Sequence, residues 1–331
     1  MTRQIRVGGV PVGGGAPVTI QSMTNTPTQD AAATVAQIRR LEQAGCEIVR
    51  VAVPNLDAAR AVGAIKAAIA IPLVVDIHFD YKLALECVRQ GCDAVRINPG
   101  NIGSAEKVRA VAQACRERGL PIRVGVNGGS LEKPLLARYG GVTPEALVES
   151  AFGHIRLLED CGFEDICVSL KSSSVPVTMR AYQLMSGKSD YPLHIGVTET
   201  GTLRMGTLKS AVGIGGLLAL GIGDTVRVSL SADPVEEVYA ARDILRAGAG
   251  LLPHLRPDEG GPDLPGPGGG GAAQGRGQAH HGGRHGLRRQ RPRGGRRRRR
   301  GHCRGRGRGP SLPKRGDREK GSPGRAGGRA V

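Results

Sequence analysis

Charged and hydrogen-bonding residues recur near the ends of short apolar runs in the first 250 residues of this 331-residue chain. Buried parallel strands should be nearly continuous apolar runs, so polar residues inside them call for an explanation. The residues in question are Arg50, Asp76, His78, Arg96, Asn98, Arg123, Asn127, Lys171, His194, Glu199, Arg227 and Ser229. Most are cationic or can become so, and such side chains grouped together predict a site for a multiply charged anion such as a phosphate.

Each of these residues also has an ordinary structural explanation when it is taken alone. Arg50 or Arg227 could pair with a nearby carboxylate, and His78 or His194 could be a core histidine with satisfied nitrogens. The recurrence of the pattern on so many runs favours a shared ligand over a series of unrelated pairs. The glycine-rich stretch 210–224 could approach a phosphate through its backbone, or could reflect close helix packing.

The elements that must position these residues form a regular alternation. Candidate strands occupy 18–24, 47–53, 73–79, 94–100, 122–129, 165–171, 193–200 and 224–230, with amphipathic helical patterns between them. Eight βα units in roughly 250 residues predict a closed (β/α)8 barrel of the TIM type, with an open doubly wound sheet as the alternative. Active sites of such barrels lie at the carboxyl ends of the strands, so we expect the polar residues to converge there.

The composition changes abruptly after residue 250. Residues 251–331 contain 21 Lys and Arg against 5 Asp and Glu. The difference, 21 − 5 = 16, accounts for nearly all of the net charge of +18 that the whole chain carries. This Arg/Gly/Pro-rich segment has too few apolar residues to offset the entropy of ordering, which predicts a disordered tail. Nonspecific nucleic-acid binding is the alternative function for it, but the tail has no aromatic residues on which bases could stack.

The sequence contains seven cysteines, and no two of them form a C-x-x-C pair. They are Cys46, Cys87, Cys92, Cys115, Cys161, Cys167 and Cys303. We interpret them as reduced and mostly buried thiols, and predict no metal site in the chain as written. No apolar run reaches the roughly 18 residues of a membrane span, and the N-terminus lacks the apolar region of a signal peptide. The sequence therefore predicts a cytoplasmic protein that does not contact a membrane.

Several of the strand segments also carry a specific resemblance. The stretches "PVTIQSMTNT", "GCEIVRVAVP", "DIHFD", "RINPGNIG", "RVGVNGGSLEK", "PLHIGVTETG" and "GIGDTVRVSL" resemble, in order, the barrel of the 4-hydroxy-3-methylbut-2-enyl diphosphate synthase family. The similarity runs from about Thr2 to Ile244. It implies that 2-C-methyl-D-erythritol 2,4-cyclodiphosphate binds in the barrel mouth and is opened reductively to the linear allylic diphosphate, a step of non-mevalonate isoprenoid biosynthesis.

The resemblance also implies roles for the polar residues. The cyclodiphosphate would be held by Arg50, Arg96, Arg123, Lys171 and Arg227. The groups near the reacting hydroxyl would be Asp76, His78, His194 and Glu199, with Glu199 as the proton donor or relay. Asn98, Asn127 and Ser229 would orient the ligand.

Members of this family continue into a smaller domain that this sequence lacks. That domain holds a 4Fe-4S cluster on three cysteines and a glutamate, in patterns such as C-P-T-C-G-R-T and M-G-C-V-V-N-G-P-G-E-A, and neither pattern occurs here. The resemblance further implies reduced flavodoxin or ferredoxin as the electron donor. It also implies a homodimer in which one subunit's cluster domain caps the other's barrel.

Both missing patterns reappear when the tail is read in another frame. "LPHLRPDEGG" at 252–261 can be encoded by bases that, with the first one dropped, read C-P-T-C-G-R-T-R-V. "HGLRRQRPRGG" at 285–295 gives M-G-C-V-V-N-G-P-G-E by the same shift. We therefore interpret 1–247 as the barrel and 248–331 as an out-of-frame remnant of the iron-sulfur domain, which predicts that the chain as written is inactive.

Overall fold

The computed structural model describes residues 1–198 and 201–249. The strands in these ranges are β1 Ile5–Val7, β2 Val10–Val12, β3 Thr19–Met23, β4 Ile48–Ala52, β5 Leu73–Asp76, β6 Ala94–Ile97, β7 Ile122–Asn127, β8 Ile166–Lys171, β9 His194–Ile195 and β10 Thr225–Val226. The helices are α1 Ala31–Ala44, α2 Leu56–Ala67, α3 Tyr81–Arg89, α4 Pro99–Ile102, α5 Ala105–Glu117, α6 Lys133–Tyr139, α7 Pro144–Glu159, α8 Val175–Ser186, α9 Leu203–Ser210, α10 Gly216–Ala219 and α11 Pro234–Ala249. The predicted disordered tail lies outside the described residues from residue 250 onward.

Strands β3 to β10 form one eight-stranded parallel sheet in the order β8-β7-β6-β5-β4-β3-β10-β9, and helices follow every strand. The two ends of this order meet, because Val168 of β8 pairs in parallel with Leu193 just before β9. Apolar residues of the sheet and of the surrounding helices form the main core. The predicted (β/α)8 barrel is confirmed, and the open-sheet alternative is wrong. In the part of the chain that the structure describes, no helix is long and apolar enough to cross a membrane.

The helices begin and end where the sequence supplies caps. Asp30 accepts the backbone N–H of Ala33 at the start of α1, and Thr143 does the same for Ala146 at the start of α7. Gly45 ends α1 with a φ of 98°, a left-handed conformation that glycine adopts at little cost. These caps fix the start of α1 and α7 and the end of α1.

All eight predicted strands are present, but β9 and β10 are only two residues long and shorter than predicted. Gly196, directly after β9, approaches the β10 segment so closely that a Cβ there would lie 2.5 Å from the carbonyl oxygen of Arg227. The backbones here crowd together in place of a regular ladder. The antiparallel hairpin that β1 and β2 form ahead of the barrel was not predicted from the sequence.

That hairpin closes the amino end of the barrel. Ile5, Val7 and Val12 pack against Ile48, Val74, Ala94 and Cys167 in a small apolar cluster. The hydroxyl of Thr2 donates to Asp224 at 2.7 Å, and Arg3 pairs with Asp190 at 2.8 Å, each acid lying just before a barrel strand. Apolar packing thus covers the amino end of the barrel, whereas the cavity opens at the carboxyl ends of the strands.

Tyr182 completes the barrel between β8 and β9. Its hydroxyl donates to the carbonyl of His194 at 2.6 Å and accepts the backbone N–H of Leu170 at 3.0 Å. Tyr182 is fully buried on α8, so no solvent can take over these two contacts. The side chain therefore supplies the hydrogen bonding that a ladder would supply elsewhere in the sheet.

We predict that Tyr182→Phe lowers the free energy of unfolding by about 2 to 4 kcal/mol, because two buried backbone groups lose their partner. Urea unfolding followed by circular dichroism measures this change. Tyr239→Phe is the control, since Tyr239 is exposed on α11, and it should stay within about 0.5 kcal/mol of the unsubstituted chain. Equal stability of the two variants would show that Tyr182 does not complete the sheet.

Candidate anion-binding site at the barrel mouth

A cavity of about 730 Å³ opens at the carboxyl ends of the strands. Four residues predicted from the sequence line it: His78, Arg96, Asn98 and Asn127. The loops after β7, β8 and β9 add Gly128, Gly129, Ser130, Ser172, Ser173, Ser174 and Thr198. The predicted convergence of polar side chains at this end of the barrel is thus observed for the residues that line the cavity.

Asp76 organises the charges beneath the cavity. Its carboxylate binds Arg96 Nη1 at 2.8 Å and lies 3.5 Å from Arg50 Nε, and His78 Nε2 is 3.9 Å away. Burial alone would raise the pKa of Asp76, but Arg50 and Arg96 outweigh that effect and lower it. Asp76 is therefore a carboxylate at neutral pH, and it orients the two guanidinium groups.

Arg123 and His194 lie deeper than the sequence indicated. Arg123 is the second residue of β7, opposite Arg96 in the sheet register, and it donates to the side-chain oxygen of Gln21 across the barrel. His194 begins β9 and is fully buried, with Nδ1 3.4 Å from the hydroxyl of Thr225. Burial lowers the pKa of Arg123, and it lowers the pKa of His194 well below its usual value with help from Arg123 and Lys171.

Lys171 ends β8 opposite Asn127 and is buried. Burial lowers the pKa of its amine well below the usual value, and the charges of Arg50 and Arg227 lower it further. A lysine in this position holds its proton weakly until a negative charge comes close.

Arg227 and Arg50 complete the group of cations. Arg227 Nη2 lies 3.3 Å from a carboxylate oxygen of Glu237 on α11, and the same carboxylate accepts the backbone N–H of Leu230 at 3.0 Å. Burial lowers the pKa of Arg50 to about 9, although Asp76 partly offsets it. Among the described residues, four arginines and the amine of Lys171 thus face two carboxylates in the barrel interior.

Two strand glycines make room for these cations. A Cβ at Gly125 of β7 would collide with the guanidinium of Arg96. At Gly196 it would lie 3.3 Å from the amine of Lys171. The missing side chains let long cationic groups cross the interior at two levels.

Some of these buried groups keep unused hydrogen-bonding capacity. Within residues 1–198 and 201–249, no partner is found for Nε of Arg96, Arg123 and Arg227, for Nε2 of His194 or for Nε2 of Gln21. Buried polar groups are usually paired. Several unpaired ones within one group of side chains are therefore typical of a ligand site.

Other predicted residues fall in different places. Glu199 lies outside the described residues, and Ser229 is half-buried after β10. Sequence reasoning missed Gln21, Met23 and Glu237, although Arg123 donates to Gln21 and Arg50 lies 3.0 Å from the sulfur of Met23. Gln21 and Met23 alternate within a predicted strand and could have been assigned to its inner face. Nothing in the helical pattern around Glu237 indicated its contact with Arg227.

The family description "GcpE TIM-barrel domain" matches residues 2–242 of this chain. The chain belongs to the GcpE family. It is 59% identical over 252 residues to a 4-hydroxy-3-methylbut-2-en-1-yl diphosphate synthase (flavodoxin) of Caldanaerobacter subterraneus subsp. tengcongensis, covering 76% of this chain and 71% of that protein. The chain is also 61% identical over 246 residues to the Geobacter sulfurreducens synthase of the same name, and the match covers 74% of this chain and 70% of that protein. The resemblance stated from the sequence is confirmed.

Solved structures with a similar fold include dihydropteroate synthases. That of Stenotrophomonas maltophilia matches with a TM-score of 0.55 at 14% identity, over 76% of this GcpE-family chain and all of that chain. The Yersinia pestis enzyme matches with a TM-score of 0.53 at 14% identity, over 75% of this chain and 99% of that chain. At this identity the similarity shows the barrel fold alone.

The cysteines of this GcpE-family barrel are distributed through its core. Burial raises the pKa of Cys46, Cys87 and Cys115 to about 12 each, so they are thiols at neutral pH. In the described ranges, no group of three or more His, Cys, Asp or Glu side chains is arranged to hold a metal ion.

We predict that binding of a phosphate-bearing ligand takes up protons at mildly alkaline pH. The pKa of Lys171 is lowered in the unliganded barrel, and a phosphate beside it favours the charged amine and raises that pKa. Calorimetry in two buffers of different ionisation enthalpy measures the uptake, with a phosphodiester ligand whose phosphates do not titrate near neutral pH.

Lys171→Met should reduce the proton uptake, whereas Lys188→Met, at an exposed position, should leave it unchanged. Identical heats in both buffers for the unsubstituted chain would mean that Lys171 is already protonated without the ligand.

Proposed function

We propose that the barrel binds 2-C-methyl-D-erythritol 2,4-cyclodiphosphate, the ligand implied by its resemblance to the synthase family. The observation that carries the proposal is the charge imbalance in the barrel interior, where four arginines face two carboxylates among the described residues and Lys171 can add a further positive charge. A ligand with two phosphates supplies the missing negative charge. The names of the relatives support the same chemistry, since they are synthases of a linear diphosphate.

The cations would act by positioning and by neutralising charge. Arg96 lines the cavity and is already oriented by Asp76, which suits it to a phosphate at the mouth. Arg50, Arg123, Lys171 and Arg227 do not line the cavity, and they would stabilise negative charge from within the barrel interior as the ring opens. Asn98 and Asn127 at the rim, with Ser229, would orient the rest of the ligand.

The electrostatics narrow the choice of proton donor. The lowered pKa of Asp76 makes it a carboxylate, and the lowered pKa of His194 makes it a neutral imidazole, so neither is a good acid at neutral pH. His78 lies half-exposed at the mouth. We retain Glu199 as the proton donor or relay on the basis of the resemblance.

Reductive opening requires electrons that this chain is not equipped to deliver. Enzymes of this family carry a 4Fe-4S cluster, and the relatives' names specify flavodoxin as their partner. The cluster-binding patterns are missing from this sequence. We therefore propose that this chain binds the substrate without turnover. The intact gene product would be a cytoplasmic homodimer that takes electrons from reduced flavodoxin or ferredoxin.

We predict that Arg123→Ala and Arg96→Ala each weaken cyclodiphosphate binding by about tenfold or more, because each removes a charge-assisted contact in a desolvated site. Isothermal titration of the full chain measures the affinity, and circular dichroism checks the fold. Arg109→Ala, at an exposed position on α5, is the matched control and should bind normally. Unchanged affinity in both site variants would overturn the placement of the phosphates.

Resequencing the gene across the codons for Ile244 to Leu255 decides between a sequencing error and a real mutation, because only an error leaves a base missing or extra in the present reading. Restoring the frame would return both cysteine patterns and give a complete reductase. A confirmed reading of the present frame would instead make the chain a binding protein without a cluster.

The basic tail permits a separate test of the nucleic-acid alternative. Filter binding at two salt concentrations, with and without residues 251–331, should show at most a weak, strongly salt-dependent contribution from the tail. Tight binding that persists at high salt and is lost with the tail would favour a selected nucleic-acid arm.

A further inference from the structure

The segment between β7 and α6 forms one wall of the cavity. Directly after Asn127 the chain makes a short 3-10 turn, Gly128–Ser130, whose residues line the mouth. Leu131 then enters the core, and Glu132 stands immediately before α6. We call residues 128–132 the wall segment. Its position decides where the rim of the cavity lies next to Asn127.

A buried contact on α7 holds the end of the wall segment. One carboxylate oxygen of Glu132, Oε1, lies 2.8 Å from Nε2 of His154 and accepts the hydroxyl of Ser150 at 3.1 Å. His154 and Ser150 are one helical turn apart on α7, and only 4% and 3% of their surfaces are exposed. Glu132 is therefore tied to a helix of the barrel's outer ring.

The carboxylate depends on those two contacts. Its other oxygen, Oε2, is buried and has no hydrogen-bond partner among the described residues. A buried carboxylate is stable only while it is well hydrogen-bonded. The side chain of Glu132 is nonetheless about one-third exposed, so the carboxylate has a route to solvent if the contacts fail.

Serine, histidine and glutamate together suggest a nucleophilic triad, but the geometry does not fit one. In a triad the acid and the hydroxyl bind opposite nitrogens of the imidazole. Here Glu132 and Ser150 both approach Nε2, at 2.8 Å and 3.3 Å. Burial also keeps a substrate away from Ser150. The arrangement is suited to holding a carboxylate in place.

We propose that His154 is a positioning residue for the barrel mouth: through Glu132 it fixes the wall segment in the shape that contacts the cyclodiphosphate. This inference rests on the proposed function for its ligand, but the positioning itself does not. Removing the imidazole donor leaves Oε1 with Ser150 alone. The carboxylate then turns toward solvent and draws Leu131 and Ser130 with it.

The test compares three full-length variants. His154→Phe keeps a ring of similar size and removes the donor. His154→Gln keeps an N–H donor that can reach Glu132. Tyr191→Phe is the matched control, because it also removes a donor to a carboxylate of α7. The hydroxyl of Tyr191, which lies ahead of β9 at the amino end of the barrel, donates to Glu159 at 2.8 Å. Circular dichroism and the thermal midpoint establish that each variant is folded.

Two readouts separate positioning from a general loss of stability. Amide hydrogen exchange of the wall segment should become about tenfold faster in His154→Phe, while exchange elsewhere in the barrel stays normal. Cyclodiphosphate binding by calorimetry should weaken by a similar factor. His154→Gln should restore both, and Tyr191→Phe should change neither.

Normal exchange of the wall segment in a folded His154→Phe variant overturns the proposal. Faster exchange with unaltered affinity overturns the link between the wall segment and the ligand. Should the unsubstituted chain fail to bind the cyclodiphosphate at all, the proposed function fails instead, and hydrogen exchange still decides whether His154 holds the wall segment.

Discussion

Uncompensated positive charge inside the barrel is the constraint on which the site depends. Burying a charge is unfavourable unless it is paired, and this interior pairs only part of its charge. Asp76 serves two guanidinium groups and Glu237 serves a third, while Arg123 relies on the neutral oxygen of Gln21. The lowered pKa values of Arg50 and Lys171 record this strain. An anion relieves it, so ligand affinity and the stability of the unliganded barrel work against each other.

The amino end of the barrel contributes to stability, and the carboxyl end carries the cavity. At the amino end the hairpin packs apolar side chains against the strands. At the carboxyl end the loops are polar and the cavity is open. The hydrogen bonds of Tyr182 connect β8 and β9 where the sheet closes. Regular strand pairing is short here, and Gly196 and Arg227 lie close together. The irregular part of the sheet is thus next to the charged interior.

Much of this architecture could be predicted from the sequence, because strand and helix periods and the rhythm of eight units are local properties. Most of the cations were also evident, since charged residues such as Arg96 interrupt apolar runs. Depth was not predictable, because it depends on the stagger between neighbouring strands, which places Arg123 low and Lys171 high. Partners from distant segments, such as Glu237 for Arg227 or His154 for Glu132, leave no local pattern at all.

The hairpin also determines where the chain starts relative to the site. Thr2 and Arg3 are fastened to Asp224 and Asp190, which precede β10 and β9, so the first residues emerge on the face opposite the cavity. An attachment made through this terminus would therefore point the mouth away from a solid support. Immobilised in this way, every molecule would present the open end of its barrel to the solution.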